Sequence, residues 1–226
     1  MCPLTNLEQL VTSRNSLTGT IPSCLFKLKY LRVIDVSKNK FHGLVPFPPK
    51  GIKLFILSGN KFSGEISLEL GRILSNAYTI SIAGNELSGS IPFILCQTKP
   101  GFTFISYIDL SNNKLSGTIP SNIGHCRRLS ALKLGNNNLT GKVPDELKLT
   151  KSMSFLQLNN NYLDGTPLNL ISEFHELKFL NLANNNFRGG IPTTLGSLKY
   201  LRFLSLSSNN FKVRYPGRLF ICKNSN

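Results

Sequence analysis

Few side chains in this sequence could carry acid–base, nucleophilic or metal chemistry. The 226 residues include 11 aspartates and glutamates, 3 histidines and 5 cysteines. The paired carboxylates of glycosidases lie roughly 5 to 9.5 Å apart, and a catalytic triad or a metal site needs its members on one surface. What these side chains can do therefore depends on the elements that position them.

The positioning element is a repeat. Its most regular form is the stretch from Tyr107 to Pro120 (YIDLSNNKLSGTIP), and the same frame returns along the chain. A fixed period of this length predicts a solenoid in which each copy is one coil. Aligned on one asparagine, the nine copies form an asparagine ladder of Asn15, Asn39, Asn60, Asn85, Asn113, Asn137, Asn161, Asn185 and Asn209.

An apolar pair precedes nearly every ladder asparagine, as Ile108 and Leu110 precede Asn113. Two apolar residues on either side of a polar one predict a short strand with one buried face. Stacked coils would cover one another, so we expect a parallel sheet along the concave side. We also expect each asparagine amide to bridge neighbouring coils, and glycines such as Gly117 to supply freedom in φ at a bend.

The frame LxxLxxLxLxxNxLxGxIP resembles the plant-type leucine-rich repeat over roughly residues 4 to 216. The resemblance implies an α/β repeat fold, a leucine-rich repeat solenoid with a parallel concave sheet and an irregular or short-helical convex side. We interpret residues 1–226 as a single array of about nine repeats, the last one degenerate with a tail over 213–226. The sequence opens inside a repeat and lacks the cysteine-paired caps of the family, so we expect an uncapped fragment of a longer receptor.

Beyond this shared frame, the sequences of the repeats are similar to the extracellular region of plant receptor-like proteins and receptor-like kinases. This implies a non-enzymatic recognition module in defence or developmental signalling, without a cofactor, that binds a peptide, glycan or protein ligand and pairs with a co-receptor. It also implies an extracellular or plasma-membrane location, although the chain shows no signal-peptide pattern and no apolar run of membrane-spanning length. The alternatives are a secreted inhibitor of a fungal cell-wall hydrolase, resembling polygalacturonase-inhibiting proteins, and a truncated copy without independent function.

The repeat frame separates the side chains that catalysis would need together. Asp35 and Asp109 share a concave column but lie three coils apart, roughly 14 Å at the spacing of neighbouring strands. His42, His125 and His175 occupy three different places in the repeat. We therefore predict no catalytic residues, no metal site and no enzymatic activity.

A ligand surface is predicted on the concave side of coils five to nine. Residues six positions before the ladder asparagines form one column and residues four positions before them form a second. Together these columns would hold a polar or acidic peptide, whereas the alternative is that the aromatic rings only cover the strand edge for stability. The predicted ligand-binding residues are Tyr107, Asp109, Lys133, Phe155, Gln157, Phe179, Asn181 and Phe203.

The net charge of +15 invites a polyanionic partner. The basic residues, however, recur ten positions before the ladder asparagines, where we expect the convex, helical side of each coil. We interpret them as a solvated face and expect no nucleic acid partner, with acidic polysaccharide, lipid headgroups and nucleic acid as the alternatives. The residues concerned are Lys29, Lys50, Arg127, Lys151 and Lys199, with His175 in the same column.

The cysteines are scattered without a close pair, so we expect no zinc site. Cys2 and Cys24 lie about one coil apart and could bridge, whereas Cys126 is expected to pack as a small buried apolar side chain. The triplet Asn138-Leu139-Thr140 is an acceptor motif for N-glycosylation. Because Asn138 directly follows a ladder asparagine, we expect it to be exposed and to carry a glycan in a secreted protein.

Overall fold

A parallel sheet of nine three-residue strands forms the concave side of the solenoid, in a computed structural model that describes residues 4–96 and 104–212. Consecutive strands pair in register, so that Leu132 lies between Ile108 and Leu156. This confirms the predicted stacking of coils. The strands are β1 (Gln9–Val11), β3 (Val33–Asp35), β5 (Leu54–Ile56), β7 (Thr79–Ser81), β9 (Tyr107–Asp109), β11 (Ala131–Lys133), β13 (Phe155–Gln157), β15 (Phe179–Asn181) and β17 (Phe203–Ser205).

The core runs along the whole stack behind this sheet. The inward side chains of the inner strands, such as Leu132 and Leu180, are completely buried. Each buried leucine contributes about 1.5 to 3 kcal/mol relative to an exposed one. Leu204 occupies the same place in the ninth coil but is 44% exposed. A coil therefore depends on its neighbour on each side for apolar cover.

The ladder asparagines join each coil to the one before it. Asn137 Oδ1 accepts a 3.0 Å hydrogen bond from the Leu115 N–H, and Asn137 Nδ2 donates to the carbonyl oxygens of Leu110 and Leu134, also at 3.0 Å. The same pattern recurs from the second coil to the ninth. Asn15, in the first coil, donates only to carbonyl oxygens of its own coil. The predicted bridging role of the asparagine amide is confirmed.

A second ladder, not predicted from the sequence, lies beside the first. The residue before each ladder asparagine has a positive φ, and in coils five to eight it is an asparagine. Asparagine tolerates this left-handed conformation better than most residues. The amides bond from coil to coil, with Asn136 Nδ2 donating to Asn112 Oδ1 at 2.9 Å and Asn184 Nδ2 donating to Asn160 Oδ1 at 2.6 Å.

Further short parallel strands follow the ladder asparagines and were also not predicted. Each coil except the last passes through a glycine with positive φ here, +73° at Gly117 and +98° at Gly189. This confirms the predicted role of these glycines. The strands are β2 (Thr18–Gly19), β4 (Lys40–Leu44), β6 (Lys61–Glu65) and β8 (Glu86–Ser88) in one sheet, β10 (Ser116–Thr118), β12 (Asn138–Lys142) and β14 (Tyr162–Asp164) in a second, and β16 (Arg188–Gly190) with β18 (Asn210–Lys212) in a third.

Short helices form most of the convex side, as the repeat resemblance implied. Within the described ranges there are five 3-10 helices and two α-helices, and coil two returns through residues 45–53 without a helix. The α-helices are α1 (Leu68–Leu74) and α2 (Leu168–Ile171), and the 3-10 helices are Ser23–Lys27, Phe93–Cys96, Ser121–His125, Asp145–Leu149 and Thr193–Ser197. The predicted tail over 213–226 lies outside the described residues.

Candidate functional site: the concave face of coils five to nine

The eight residues predicted to bind a ligand lie on β9, β11, β13, β15 and β17, and the sheet register brings them together. As a binding site they remain a prediction, whereas their adjacency is a property of the fold. The first column contains Tyr107, Ala131, Phe155, Phe179 and Phe203, and the second contains Asp109, Lys133, Gln157, Asn181 and Ser205.

Three phenylalanine rings of the first column stack face to face. The ring centroids of Phe155 and Phe179 are 4.1 Å apart with an angle of 1° between the planes, and those of Phe179 and Phe203 are 4.4 Å apart at 7°. Because the flat faces cover each other, the rings offer their edges to the concave side. Phe203 ends the stack and is 43% exposed. We call these three residues the aromatic ridge.

Lys133 continues the aromatic ridge toward the preceding coils. Ala131 leaves a gap in the first column between Tyr107 and Phe155, and the Lys133 ammonium occupies it. Lys133 Nζ lies 5.1 Å from the centroid of the Tyr107 ring and 4.7 Å from that of the Phe155 ring. A cation over an aromatic ring stabilises by about 0.5 to 1 kcal/mol at exposed sites and more where water is excluded. The ammonium is thus held between two rings.

Asp109 balances the charge of Lys133. Its Oδ2 lies 3.8 Å from Lys133 Nζ and accepts a 3.1 Å hydrogen bond from the Tyr107 hydroxyl. Its Oδ1 accepts from the N–H and the hydroxyl of Ser111, at 3.1 and 2.6 Å. Burial raises the pKa of Tyr107 above its ordinary value of 10.0; the hydrogen bond with Lys133 opposes this rise and the Asp109 charge adds to it. The cluster is therefore neutral overall and fixes the position of Lys133.

Two uncharged amides lie beside this cluster. Asn181 Oδ1 accepts a 3.1 Å hydrogen bond from the Ala183 N–H, which leaves Nδ2 to donate outward. The Gln157 side chain makes no hydrogen bond within the described part of the chain. Gln157 and Asn181 are partners on neighbouring strands, and such strands lie about 4.8 Å apart. They favour a neutral polar ligand over the acidic peptide considered from the sequence, because the nearby ammonium already has a carboxylate partner.

Asn159 and Gly135 belong to the same surface, although neither was predicted from the sequence to be part of the site. Asn159 Oδ1 is buried and has no hydrogen-bond partner among the residues described. A Cβ at position 135 would lie 2.5 Å from this oxygen and 3.0 Å from Gln157 Nε2. An unsatisfied buried oxygen costs about 1 to 3 kcal/mol. The signal in the sequence was a glycine among the small or polar residues two positions before the ladder asparagines, such as Ser111 and Asn159.

Other chemistry-bearing residues are dispersed. His42 lies in β4, His125 ends a convex 3-10 helix and His175 lies in the turn before β15. Across residues 4–96 and 104–212, no group of three or more histidine, cysteine, aspartate or glutamate side chains could hold a metal ion. Over the same ranges, no helix has the length and apolar character needed to cross a bilayer.

Comparisons with known proteins agree with this architecture. The Leucine Rich Repeat family model matches residues 6–28, 104–126, 128–149 and 176–198. The leucine-rich repeat ectodomain of the receptor kinase SOBIR1 from Arabidopsis thaliana is 30% identical, with a TM-score of 0.54 over 58% of this chain and 70% of that one. The chain belongs to the leucine-rich repeat family. Its repeats are of the plant receptor ectodomain type.

Two further relatives show how much of a leucine-rich repeat receptor this chain represents. The Arabidopsis receptor kinase HAESA, solved with the peptide hormone IDA and the co-receptor SERK1, is 35% identical with a TM-score of 0.84, over 93% of this chain and 35% of that one. Receptor-like protein 6 of Arabidopsis thaliana is 28% identical over 151 residues, 56% of this chain and 15% of that protein. The leucine-rich repeat chain therefore spans only a small part of the length of such relatives.

A disulfide joins two coils of the leucine-rich repeat array and corrects the expectation for Cys126. Cys126 does not pack as a free thiol but bonds to Cys96, with 5.2 Å between their Cα atoms, and both residues are buried. The residues are 30 positions apart, so sequence spacing gave no sign of the pair, whereas stacking places them on adjacent convex segments. Cys24 is also in a disulfide, and the predicted Cys2–Cys24 pairing falls on a residue outside those described.

The basic column of the leucine-rich repeat array is not on the convex helices, which corrects a second expectation. Lys29, Lys50, Arg127, Lys151 and Lys199 each lie in the turn that connects the convex segment to the next concave strand. They therefore occupy one edge of the solenoid. Where a 3-10 helix precedes one of these cations, it ends two residues earlier, as Ser23–Lys27 ends before Lys29.

Proposed function

We propose that this leucine-rich repeat array is a non-enzymatic recognition module that binds an extended peptide on the concave face of coils five to nine. The aromatic ridge beside the amides of Gln157 and Asn181 is the observation on which the proposal depends. Ring edges supply apolar contact area, and uncharged amides at strand spacing match the alternating N–H and C=O groups of an extended backbone.

Similarity to a receptor with a known peptide supports the same conclusion. HAESA was solved with the peptide hormone IDA and the co-receptor SERK1, and 93% of this chain aligns with it. We infer that the whole protein recognises a peptide in signalling and works with a co-receptor. The relatives compared above are receptors, which favours this function over the alternative of a cell-wall hydrolase inhibitor.

The disulfides support a location outside the cytosol. Stable disulfides form in oxidising compartments and are rare in the cytosol. The Cys96–Cys126 bond is buried and links two coils, so it forms part of the folded structure. We infer that the array folds in the secretory pathway and acts at the cell surface or beyond it. Asn138 is exposed at the start of β12, as an N-glycosylation site requires, and we propose that it carries a glycan.

A peptide-display selection against the whole chain tests the proposed function. Peptides selected on the chain should bind Phe179→Ala at least about tenfold more weakly, a loss of about 1.4 kcal/mol, because this change breaks both ring stacks. Leu54→Ala is the matched control, since Leu54 is a half-buried apolar residue of the same column in coil three. Equal loss on both variants, or no selected peptide at all, would contradict the proposal.

A further inference from the structure

A second surface with the composition of a binding site lies along one edge of the solenoid, where the chain enters the concave strands. It consists of the residues seven, nine and ten positions before each ladder asparagine. Backbone hydrogen bonds link the residues seven positions before the asparagines into an unbroken line from Glu8 to Arg202, with Lys53 N–H donating to the Arg32 carbonyl at 2.7 Å. We call this surface the basic edge.

Positive charge is concentrated on the basic edge. Ten lysines and arginines face two glutamates, Glu8 and Glu176, which leaves a surplus of eight charges. Six of the ten cations precede a strand in coils two, three and six: Lys29, Arg32, Lys50, Lys53, Arg127 and Arg128. The other four are in coils seven to nine: Lys151, Lys178, Lys199 and Arg202.

The opposite edge is much less basic. It consists of the residues one, three and five positions after each ladder asparagine. Among the residues described, it has six lysines and arginines and three acids, a surplus of three. One of its lysines is neutralised, because Lys114 Nζ lies 3.2 Å from Glu86 Oε2. The charge of the molecule is therefore asymmetric between two edges of equal length.

The cations of the basic edge lack acidic partners. Within residues 4–96 and 104–212, none of the ten forms an ion pair with a carboxylate, and eight of them are exposed. Arg32 and Lys53 are held by backbone carbonyls, with Arg32 Nη1 3.0 Å from the Lys29 oxygen and Lys53 Nζ 3.4 Å from the Asn76 oxygen. Such bonds orient the cations without cancelling their charge, so the edge carries a positive field in coils two and three and in coils six to nine.

Aromatic rings are interleaved with these cations. Tyr30, Tyr78 and Tyr200 are 45%, 42% and 56% exposed. Lys53 Nζ lies 4.9 Å from the centroid of the Tyr78 ring, and the Arg128 guanidinium carbon lies 5.4 Å from that of the Phe104 ring. The exposed apolar side chains of this edge are thus aromatic rings flanked by cations, and the aliphatic residues between them are buried or half-buried.

We infer that the basic edge binds a linear acidic polysaccharide, with uronate carboxylates on the lysines and arginines and sugar rings on the exposed tyrosines. A polymer with regularly spaced anionic groups matches cations that lie in coils two and three and again in coils six to nine, at multiples of the strand spacing of about 4.8 Å. Lysine and arginine bind carboxylates by charge-assisted hydrogen bonds, and tyrosine combines an apolar ring with a hydroxyl.

The same observations favour a polysaccharide over other polyanions. The buried disulfide indicates folding in an oxidising compartment, where nucleic acid is not the prevalent polyanion. A bilayer surface would be bound more tightly by an edge with exposed aliphatic side chains, and the described part of this edge has none. The inference is independent of the peptide site, because the basic edge and the aromatic ridge do not share residues.

Two charge-reversed variants of the full chain test this inference. The first is Lys29→Glu with Lys151→Glu and Lys199→Glu, on the basic edge. The matched control is Lys40→Glu with Lys61→Glu and Lys142→Glu, on the opposite edge, and it changes the net charge equally. Binding of a polygalacturonate oligomer is measured at about 0.15 M salt, where exposed charges are screened beyond roughly 8 Å. The affinity should weaken at least tenfold in the first variant and less than twofold in the control.

Three results would overturn the inference. One is equal weakening in both variants, which would show attraction to net charge alone. Another is binding of single-stranded DNA or phosphatidylserine vesicles as tight as that of the oligomer, with the same dependence on the two variants. The third is no binding of the oligomer by the unmodified chain. The triple Lys→Gln change at positions 29, 151 and 199 removes the charges without reversing them, and it should also weaken binding if the reversed variant fails to fold.

Discussion

Replacing one ladder asparagine should destabilise the array strongly only where a preceding coil depends on it. Asn137→Ala removes the acceptor of the Leu115 N–H and the donor to the Leu110 and Leu134 carbonyls, in a site where Asn137 itself is 6% exposed. A buried group left unsatisfied costs about 1 to 3 kcal/mol. The two carbonyls each keep a second donor, Asn113 Nδ2 for Leu110 at 3.1 Å and Asn161 Nδ2 for Leu134 at 3.0 Å, so only the Leu115 N–H is left unsatisfied. With the two lost hydrogen bonds to the carbonyls added, we expect Asn137→Ala to lower the free energy of unfolding by about 2 to 4 kcal/mol.

Asn15→Ala is the matched control, because Asn15 has the same place in the repeat but no described coil before it. Its side chain bonds only to exposed carbonyls of its own coil. We expect a loss below about 1 kcal/mol. Urea unfolding followed by circular dichroism, with the slope compared between variants, measures the difference. If the two losses agree within about 0.5 kcal/mol, the asparagine acts within its coil and the bridging argument fails.

Amide hydrogen exchange adds a local readout to this comparison. In Asn137→Ala the Leu115 amide should exchange much faster, because its acceptor is gone. The Leu163 amide, whose acceptor is Asn185 Oδ1 at 3.0 Å, provides an internal reference in a distant coil. Equal acceleration at both amides would show global loosening and not the loss of one bond.

Three further predictions concern single groups. Replacing Cys96 and Cys126 by serine should lower the free energy of unfolding by about 3.6 kcal/mol for a closed loop of 30 residues, and an unchanged urea midpoint would contradict a structural disulfide. Because burial raises the pKa of Tyr107, its neutral phenol stabilises the fold below pH 10.0 and this contribution is lost as the pH rises through the raised value. The phenolate absorbance that the unmodified chain has and Tyr107→Phe lacks comes from Tyr107. It should therefore titrate above pH 10.0 in the unmodified chain and nearer to pH 10.0 in Asp109→Asn. Titration of this absorbance at the ordinary value in the unmodified chain would refute the burial argument. After secretion from plant cells, the chain should lose mass on glycosidase treatment, whereas the Asn138→Gln variant should not. A secreted chain without a glycan at Asn138 would contradict this prediction.

The sequence was sufficient to predict the stacking, since the strand and ladder positions depend on a strict period. Ile108, Leu132 and Leu156 are neighbours because each coil needs the next one for apolar cover, and that requirement is visible in the pattern itself. The bridging asparagines follow for the same reason, because a buried turn needs an amide that both donates and accepts. Properties that repeat in every coil are therefore predictable from one coil.

The features that escaped prediction involve pairs whose geometry the period does not encode. Cys96 and Cys126 are adjacent because consecutive convex segments stack, but the longer return between coils four and five separates them by 30 residues, so their spacing departs from the repeat. The position of Lys133 between Tyr107 and Phe155 depends on the small side chain of Ala131. The basic turns were assigned to the convex side because the sequence does not show where a 3-10 helix of five residues ends.

The crosslink between Cys96 and Cys126 also determines how the array responds to tension. A chain pulled from its two ends cannot lengthen the 30 residues enclosed by an intact bridge. At about 3.5 Å per extended residue, that segment withholds roughly 100 Å of contour length. An oxidised array under tension would therefore yield only outside this segment, and reduction would release the segment as slack.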